Sequence, residues 1–215
     1  LQTAKSVATL RAKKSEKEVA EALRSPELNR EMARAFRGAA MRAAYLASDR
    51  RDISETVKML SQSMAKPTES SFADLKRLGR YLKGKPRMAI VYGRQDVADA
   101  HLISYNDSDW AGCPITRRST SGMAVCRGRH LLRHSSTLQV PISLSSAEAE
   151  YYSVTKGGAY VLGTQAYLED WQLPVEATIL YSDSSSAKAF ASRRGLGKQR
   201  HVQTRFLWLQ DRVAA

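Results

Sequence analysis

Two runs of the sequence end in the same way. HLISYND closes on Asp107 and EATILYSD closes on Asp183, each an apolar stretch of strand length running into a carboxylate. Between them lies LSSAEAEYYSVTKGGAYVLGTQAYLEDW, a long helical pattern opened by serine caps. Laid side by side and parallel in an α/β sheet, the two strands bring both carboxylates to one sheet edge. Ligands in such sheets bind outside the carboxyl ends of the strands. Glu148 and Glu150 sit at the start of the intervening helix. Three carboxylates that converge repel one another unless a cation joins them. Magnesium takes oxygen ligands and pairs with substrate phosphates. A single aspartate at a strand end is ordinarily a turn former or a helix cap, so the joint pattern carries the chemistry.

The rest of the chain divides near residue 95. Residues 1–25 are charged and weakly periodic, an N-terminal segment expected to be flexible. Residues 26–95 are helical. Met32, Phe36, Ala39, Ala43 and Leu46 recur at helical spacing, as do Ile53, Val57, Leu60 and Met64, with Pro67 as a stop. A third helix opens at SSFADL, with Asp74 at capping-box distance from Ser71 and a stripe of Leu75, Leu78 and Leu82. Residues 96–215 read as strand, strand, strand, helix, strand, helix, helix. SGMAVCRG and RHLLRHSS are joined by a glycine-containing turn, SSSAKAFASRR is a short serine-capped helix, and KQRHVQTRFLWLQDRV is a last helix with Phe206 and Leu209 on its apolar side. Trp110 is expected in the core.

The formal charge of +13 and a pI of about 10.0 favour a polyanionic partner, nucleic acid first among them. Lys76, Arg80 and Lys83 share a face of the third helix and are candidate phosphate contacts, as are Arg117 and Arg118 in the polar loop after DWAG. Cys113 and Cys126 lack the paired histidines of a zinc site and read as thiols in a reducing, intracellular compartment, cytoplasmic or nuclear. No apolar run is long enough to span a bilayer. The chain begins at Leu1 and ends within a helical pattern, as expected of a segment of a longer polypeptide.

The run YNDSDWAGCPITRRSTSG, then LQVPISLSSAEAEYYSV, then ILYSDSSSAKAF, resembles the ribonuclease H domain of copia-type retrotransposon polyproteins. FRGAAMRAAYLASDRRDISETVKMLSQSMAKPTESSFADLKRLGRYLKGKP is similar to the end of the reverse transcriptase that precedes it. The likeness covers roughly residues 36–210, and DWAG, RRSTSG and SSAEAEY in that order are specific. It implies an α/β, ribonuclease H-like mixed sheet with flanking helices, preceded by a small helical segment and C-terminally truncated, without its last strand and helix. The implied activity is hydrolysis of the RNA strand of an RNA–DNA hybrid, with two Mg2+ (or Mn2+) ions about 3.5–4 Å apart. Asp107, Glu150 and Asp183 are the implied catalytic and metal-binding residues.

Glu148 and Glu150 point about 200° apart on a helix, and their apolar neighbours do not choose between them. The resemblance selects Glu150 through its A-E-Y context. Asp109 shares a strand face with Asp107; Asp109 and Glu148 are candidates for the layer behind the ligands. Gln203 stands where relatives carry aspartate, His134 stands where tryptophan is common, and the family's fourth acid is expected beyond residue 215. Gly157, Gly158 and Gly163 interrupt the long helix at roughly 1 kcal/mol each. Polymerase activity is not expected, because the polymerase aspartates are absent. The expected partners are an RNA–DNA hybrid or other nucleic acid, within a larger polyprotein or a host assembly. The alternative reading is a catalytically silent nucleic-acid-binding or scaffold fragment of the same origin.

Overall fold

Helical spacing in the first part of the chain and strand alternation in the second produce two compact units, Leu1–Val91 and Tyr92–Ala215. The computed structural model describes residues 4–10, 15–96, 101–197 and 199–214. The charged opening run, residues 1–25, is therefore described only in part, and residues 97–100, at the start of the expected second domain, lie outside the described residues.

Among the described residues the first unit holds four α-helices, α1 (Glu16–Leu23), α2 (Arg30–Leu46), α3 (Ser54–Gln62) and α4 (Glu69–Gly84), with a 3₁₀ turn at Arg51–Ile53 leading into α3. The opening run thus contains a helix, closed at its start by a reciprocal capping box between Ser15 and Glu18. On α2 the buried positions are Ala33, Phe36, Ala40 and Ala43. Met32 and Leu46 are exposed. The apolar stripe expected through Met32, Ala39 and Leu46 is therefore displaced by about one residue, because small alanines allow close packing where longer side chains do not fit. Phe36, Ala40, Ile53, Val57, Leu60, Leu78 and Tyr81 form one core. The cap of α4 is Thr68, whose hydroxyl accepts from the Ser71 amide, so Ser71 is the third residue of the helix rather than its cap.

The second unit is a four-stranded sheet in the order β3-β2-β1-β4, formed by β1 (Leu102–Asp109), β2 (Thr120–Arg127), β3 (His130–Leu138) and β4 (Thr178–Tyr181). The first three strands are antiparallel, and β4 joins β1 in parallel after the crossover through α5 (Ser146–Asp170). The β2–β3 turn uses Gly128 at φ 54°, the left-handed region that glycine adopts without strain. Short helices α6 (Ser185–Ala191) and α7 (Trp208–Ala214) complete the unit. In place of the continuous last helix expected from residue 198, itself outside the described residues, residues 199–214 form an irregular segment, a 3₁₀ turn at Thr204–Phe206 and then α7.

α5 is buried nearly all round at its start. Glu148 through Thr155 are all buried, between the sheet and a cluster that includes Phe190, Val202 and Leu209. Ser153 donates to the carbonyls of Asp107 and Gly122, at 2.6 and 3.2 Å, fastening the helix to β1 and β2. Gly157 lies against the Asn106 amide and 2.8 Å from the Ser104 hydroxyl, measured to where its Cβ would stand. No helix among the described residues is long and apolar enough to cross a membrane.

Candidate metal centre

The register of β1 and β4 builds the site. Tyr105 pairs with Tyr181, so Asp107 and Asp183, each two residues further on, leave the sheet at equivalent positions. Alternation along β1 sends Leu102, Ser104 and Asn106 inward and leaves Asp107 exposed on the other face. Buried Asn106 ties the two strands together, its amide donating to the carbonyls of Ser104 and Tyr181 at 3.0 and 3.1 Å. Ser145 caps α5 by accepting from the Glu148 amide. Two turns into the helix, the Ser153 anchor holds the start of α5, and Glu150 with it, against β1.

Asp107, Glu150 and Asp183 consequently converge: one carboxylate oxygen of each lies within 4.8 Å of the others. Glu150 is buried, at 9% exposure, while both aspartates are exposed. One Glu150 oxygen, Oε1, accepts from the Ser108 amide at 3.1 Å and the Ser108 hydroxyl at 2.6 Å. The other, Oε2, is buried without a hydrogen-bond partner. Burial pushes the Glu150 carboxyl above its ordinary range. The Ser108 hydrogen bonds pull it back only in part, and the charges of Asp107 and Asp183 add to the rise. An orphaned buried oxygen beside two further carboxylates fits a hard divalent cation, which supplies the missing partner and cancels the repulsion.

The candidates expected behind the ligands do not join the cluster. Glu148 turns away, 2% exposed, accepting from the Leu144 amide at 2.9 Å and the Tyr152 hydroxyl at 2.7 Å and meeting His201 Nε2 at 2.9 Å. Burial pushes its carboxyl up, but these three partners together hold it below the ordinary range. Asp109 lies with its carboxylate against Gly112. Trp110 is half exposed instead of in the core, its indole donating to the Ser143 carbonyl at 3.1 Å.

The cationic candidates separate into two groups. Arg117 and Arg118 are exposed on the loop that follows β1, closed by Arg117 N–H to the Cys113 carbonyl and Cys113 N–H to the Arg118 carbonyl. In the first unit, Arg80 and Lys83 donate to the carbonyls of Lys5 and Ala4, at 2.6 and 3.0 Å, and Lys76 stands 4.8 Å over the Phe72 ring. That face is thus partly taken up by the N-terminal segment, where the sequence pattern had placed an open phosphate track. Ser108 and Asn106 are contributors that strand alternation alone does not identify. The one local signal for Ser108 is a small hydroxyl residue set between two aspartates.

Fold and site together define a class: an α/β protein with a ribonuclease H-like mixed sheet and flanking helices, bearing two carboxylates at the ends of adjacent parallel strands and a third on the helix that crosses between them. Its relatives agree on origin. The chain is 42% identical over 119 residues to the Retrovirus-related Pol polyprotein from transposon RE1 of Arabidopsis thaliana, which covers 55% of this chain and 8% of that protein. It is 30% identical over 180 residues to the corresponding polyprotein of transposon RE2 of the same plant, 83% of this chain and 12% of that protein. With the Pol polyprotein of transposon TNT 1-94 from Nicotiana tabacum it shares 27% over 165 residues, 76% of this chain and 12% of the relative. No protein-family model and no solved structure matches the chain. The chain is homologous to retrovirus-related transposon Pol polyproteins and is a retrotransposon-derived protein. It spans about a tenth of the length of those relatives.

Proposed function

We propose that this chain corresponds to the end of the reverse transcriptase and the ribonuclease H part of such a polyprotein, and that it hydrolyses the RNA strand of an RNA–DNA hybrid. The observation that carries this reading is the cluster of Asp107, Glu150 and Asp183 with its unpartnered Glu150 oxygen. The three carboxylates would hold Mg2+ or Mn2+. Divalent cations bound there supply Lewis-acid activation of the scissile phosphate and of the attacking water.

The protein's own groups set up that chemistry. Ser108 fixes Glu150 by one oxygen and leaves the other without a hydrogen-bond partner. The parallel register holds Asp107 and Asp183 at matching height. In this reading Arg117 and Arg118, exposed on the loop after β1, would meet backbone phosphates, which orient a duplex without reading its sequence. Selection of the RNA strand falls to its 2′-hydroxyls and A-form shape.

The test is Mg2+-dependent cleavage of a labelled RNA–DNA hybrid by a version of the chain extended past residue 215, where the resemblance expects the fourth acid, together with thermal unfolding in Mn2+. The wild type is expected to cleave and to melt higher with Mn2+, and Asp107→Asn to lose both properties. An Asp107→Asn rate equal to wild type, or a melting temperature indifferent to Mn2+, refutes the assignment.

A further inference from the structure

Away from the carboxylates, two cations crowd onto a single aromatic ring. The Arg133 guanidinium on β3 lies 4.0 Å from the centroid of Tyr160, and the Lys156 ammonium on α5 lies 5.9 Å from the same centroid. Lys156 is half-buried and donates to the hydroxyl of Thr137. Burial, and then the neighbouring Arg133 charge, pull its ammonium below the ordinary lysine range. Among the described residues no carboxylate pairs with either cation. Arg133 and Thr137 are four apart on one strand, and Lys156 and Tyr160 are four apart on one helix, so the group is held by two rigid elements. Two like charges brought together over one ring, with the Thr137 oxygen accepting from lysine and its hydroxyl proton left to donate, form a receptor for an oxyanion.

We propose that Arg133, Thr137 and Lys156 form a phosphate-binding subsite that takes the backbone of a nucleic acid. The identity of the ligand rests on the nucleic-acid reading above but not on the cleavage chemistry. The location supports it. Thr137 pairs with Ser121, and Ser121 pairs with Ser108, the residue that holds Glu150. The subsite therefore lies two strand spacings from the acidic cluster, about 10 Å across the sheet. A duplex strand carries a phosphate every ~3.4 Å of axis, so one duplex reaches both.

The experiment measures binding of an RNA–DNA hybrid to the full chain in the Asp107→Asn background, where hydrolysis does not interfere, from about 50 to 200 mM salt. Arg133→Gln with Lys156→Gln is expected to lower the salt slope by about 2, one for each phosphate that is no longer neutralised. This shrinks the affinity change across that salt range by roughly tenfold. Arg133→Lys with Lys156→Arg keeps the wild-type slope. In parallel, inorganic phosphate is titrated against the chain and the nuclear magnetic resonance signals of Thr137 and Lys156 are followed. Their movement supports an oxyanion site. An unchanged slope in the folded double variant overturns the proposal, and if phosphate still moves the signals the ligand is free phosphate and not a nucleic acid. A chain that binds no hybrid at any salt, yet responds to phosphate at these residues, overturns the hybrid reading of function while leaving the oxyanion site standing.

Discussion

Glu148 and Glu150 show how two like residues, two positions apart, acquire opposite roles. Glu148 is saturated: a backbone amide, a tyrosine hydroxyl and a histidine nitrogen all meet it. Glu150 is left with one bare oxygen beside two negative charges. Glu148→Ala strands the Leu144 amide and the Tyr152 hydroxyl, each at about 1–3 kcal/mol, and is expected to lower stability in urea unfolding by roughly 2–6 kcal/mol in total. Glu150→Gln removes a buried charge from a repulsive cluster. In cation-free buffer at neutral pH it is expected to raise the melting temperature, the usual relation between a strained functional group and stability. The same substitution should abolish the response to Mn2+. A Glu150→Gln chain that melts lower than wild type without cation would show that the cluster is not strained.

Among the elements, α5 carries the most information. Its glycines read from the sequence as flaws in a helix, yet they differ in surroundings. Gly157 is pressed against Asn106 and Ser104, the polar pair that ties β1 to β4, whereas nothing lies within 4 Å of a Cβ at Gly163. Gly163→Ala is therefore expected to stabilise by about 1 kcal/mol through helix propensity. Gly157→Ala has the same propensity gain but overfills a packed contact, for a net loss of about 1–3 kcal/mol. Chemical denaturation of the two variants checks the sign of each. The stripe on α2 teaches a related lesson. Helical spacing alone allowed Met32 and Leu46 as core, and packing chose Ala33 and Ala40, because periodicity defines a face only to within one residue when alanines fill it.

At the scale of the molecule, each compact unit has its own core, and the first is closed by a charged knot. Arg50, 6% exposed, forms a two-pronged ion pair with Asp52 at 3.0 and 2.8 Å and donates to the Lys85 carbonyl at 2.8 Å, while the Tyr81 hydroxyl donates to Asp52 at 2.8 Å. The Arg50 hydrogen bonds, against the opposing effect of burial, hold the Asp52 carboxyl below its ordinary value. A depressed native pKa means stability that is fully present above the unfolded pKa of about 3.9 and is lost as pH falls through the native value. Asp52→Ala leaves a buried guanidinium unpaired and is expected to destabilise by about 3–5 kcal/mol at neutral pH. The gap from wild type should close in acid. Urea titrations at neutral and acidic pH measure it, and a gap independent of pH would mean that the ion pair contributes nothing.

The run of strands and helices and their approximate order follow from the sequence alone, because strand alternation, serine caps and glycine turns are local signals; the ribonuclease H-like class came from the resemblance, and the parallel pairing of the two acid-ended strands is what the tertiary structure realised. The resemblance also pointed to the glutamate that joins Asp107 and Asp183. Tertiary structure decided the rest. It turned Glu148 toward His201, exposed Trp110, occupied Arg80 and Lys83 with the carbonyls of Lys5 and Ala4, and set Arg133 and Lys156 over one ring. Each of these outcomes joins residues far apart along the chain. Local spacing says which way a side chain leaves its own element, but only packing decides what it meets.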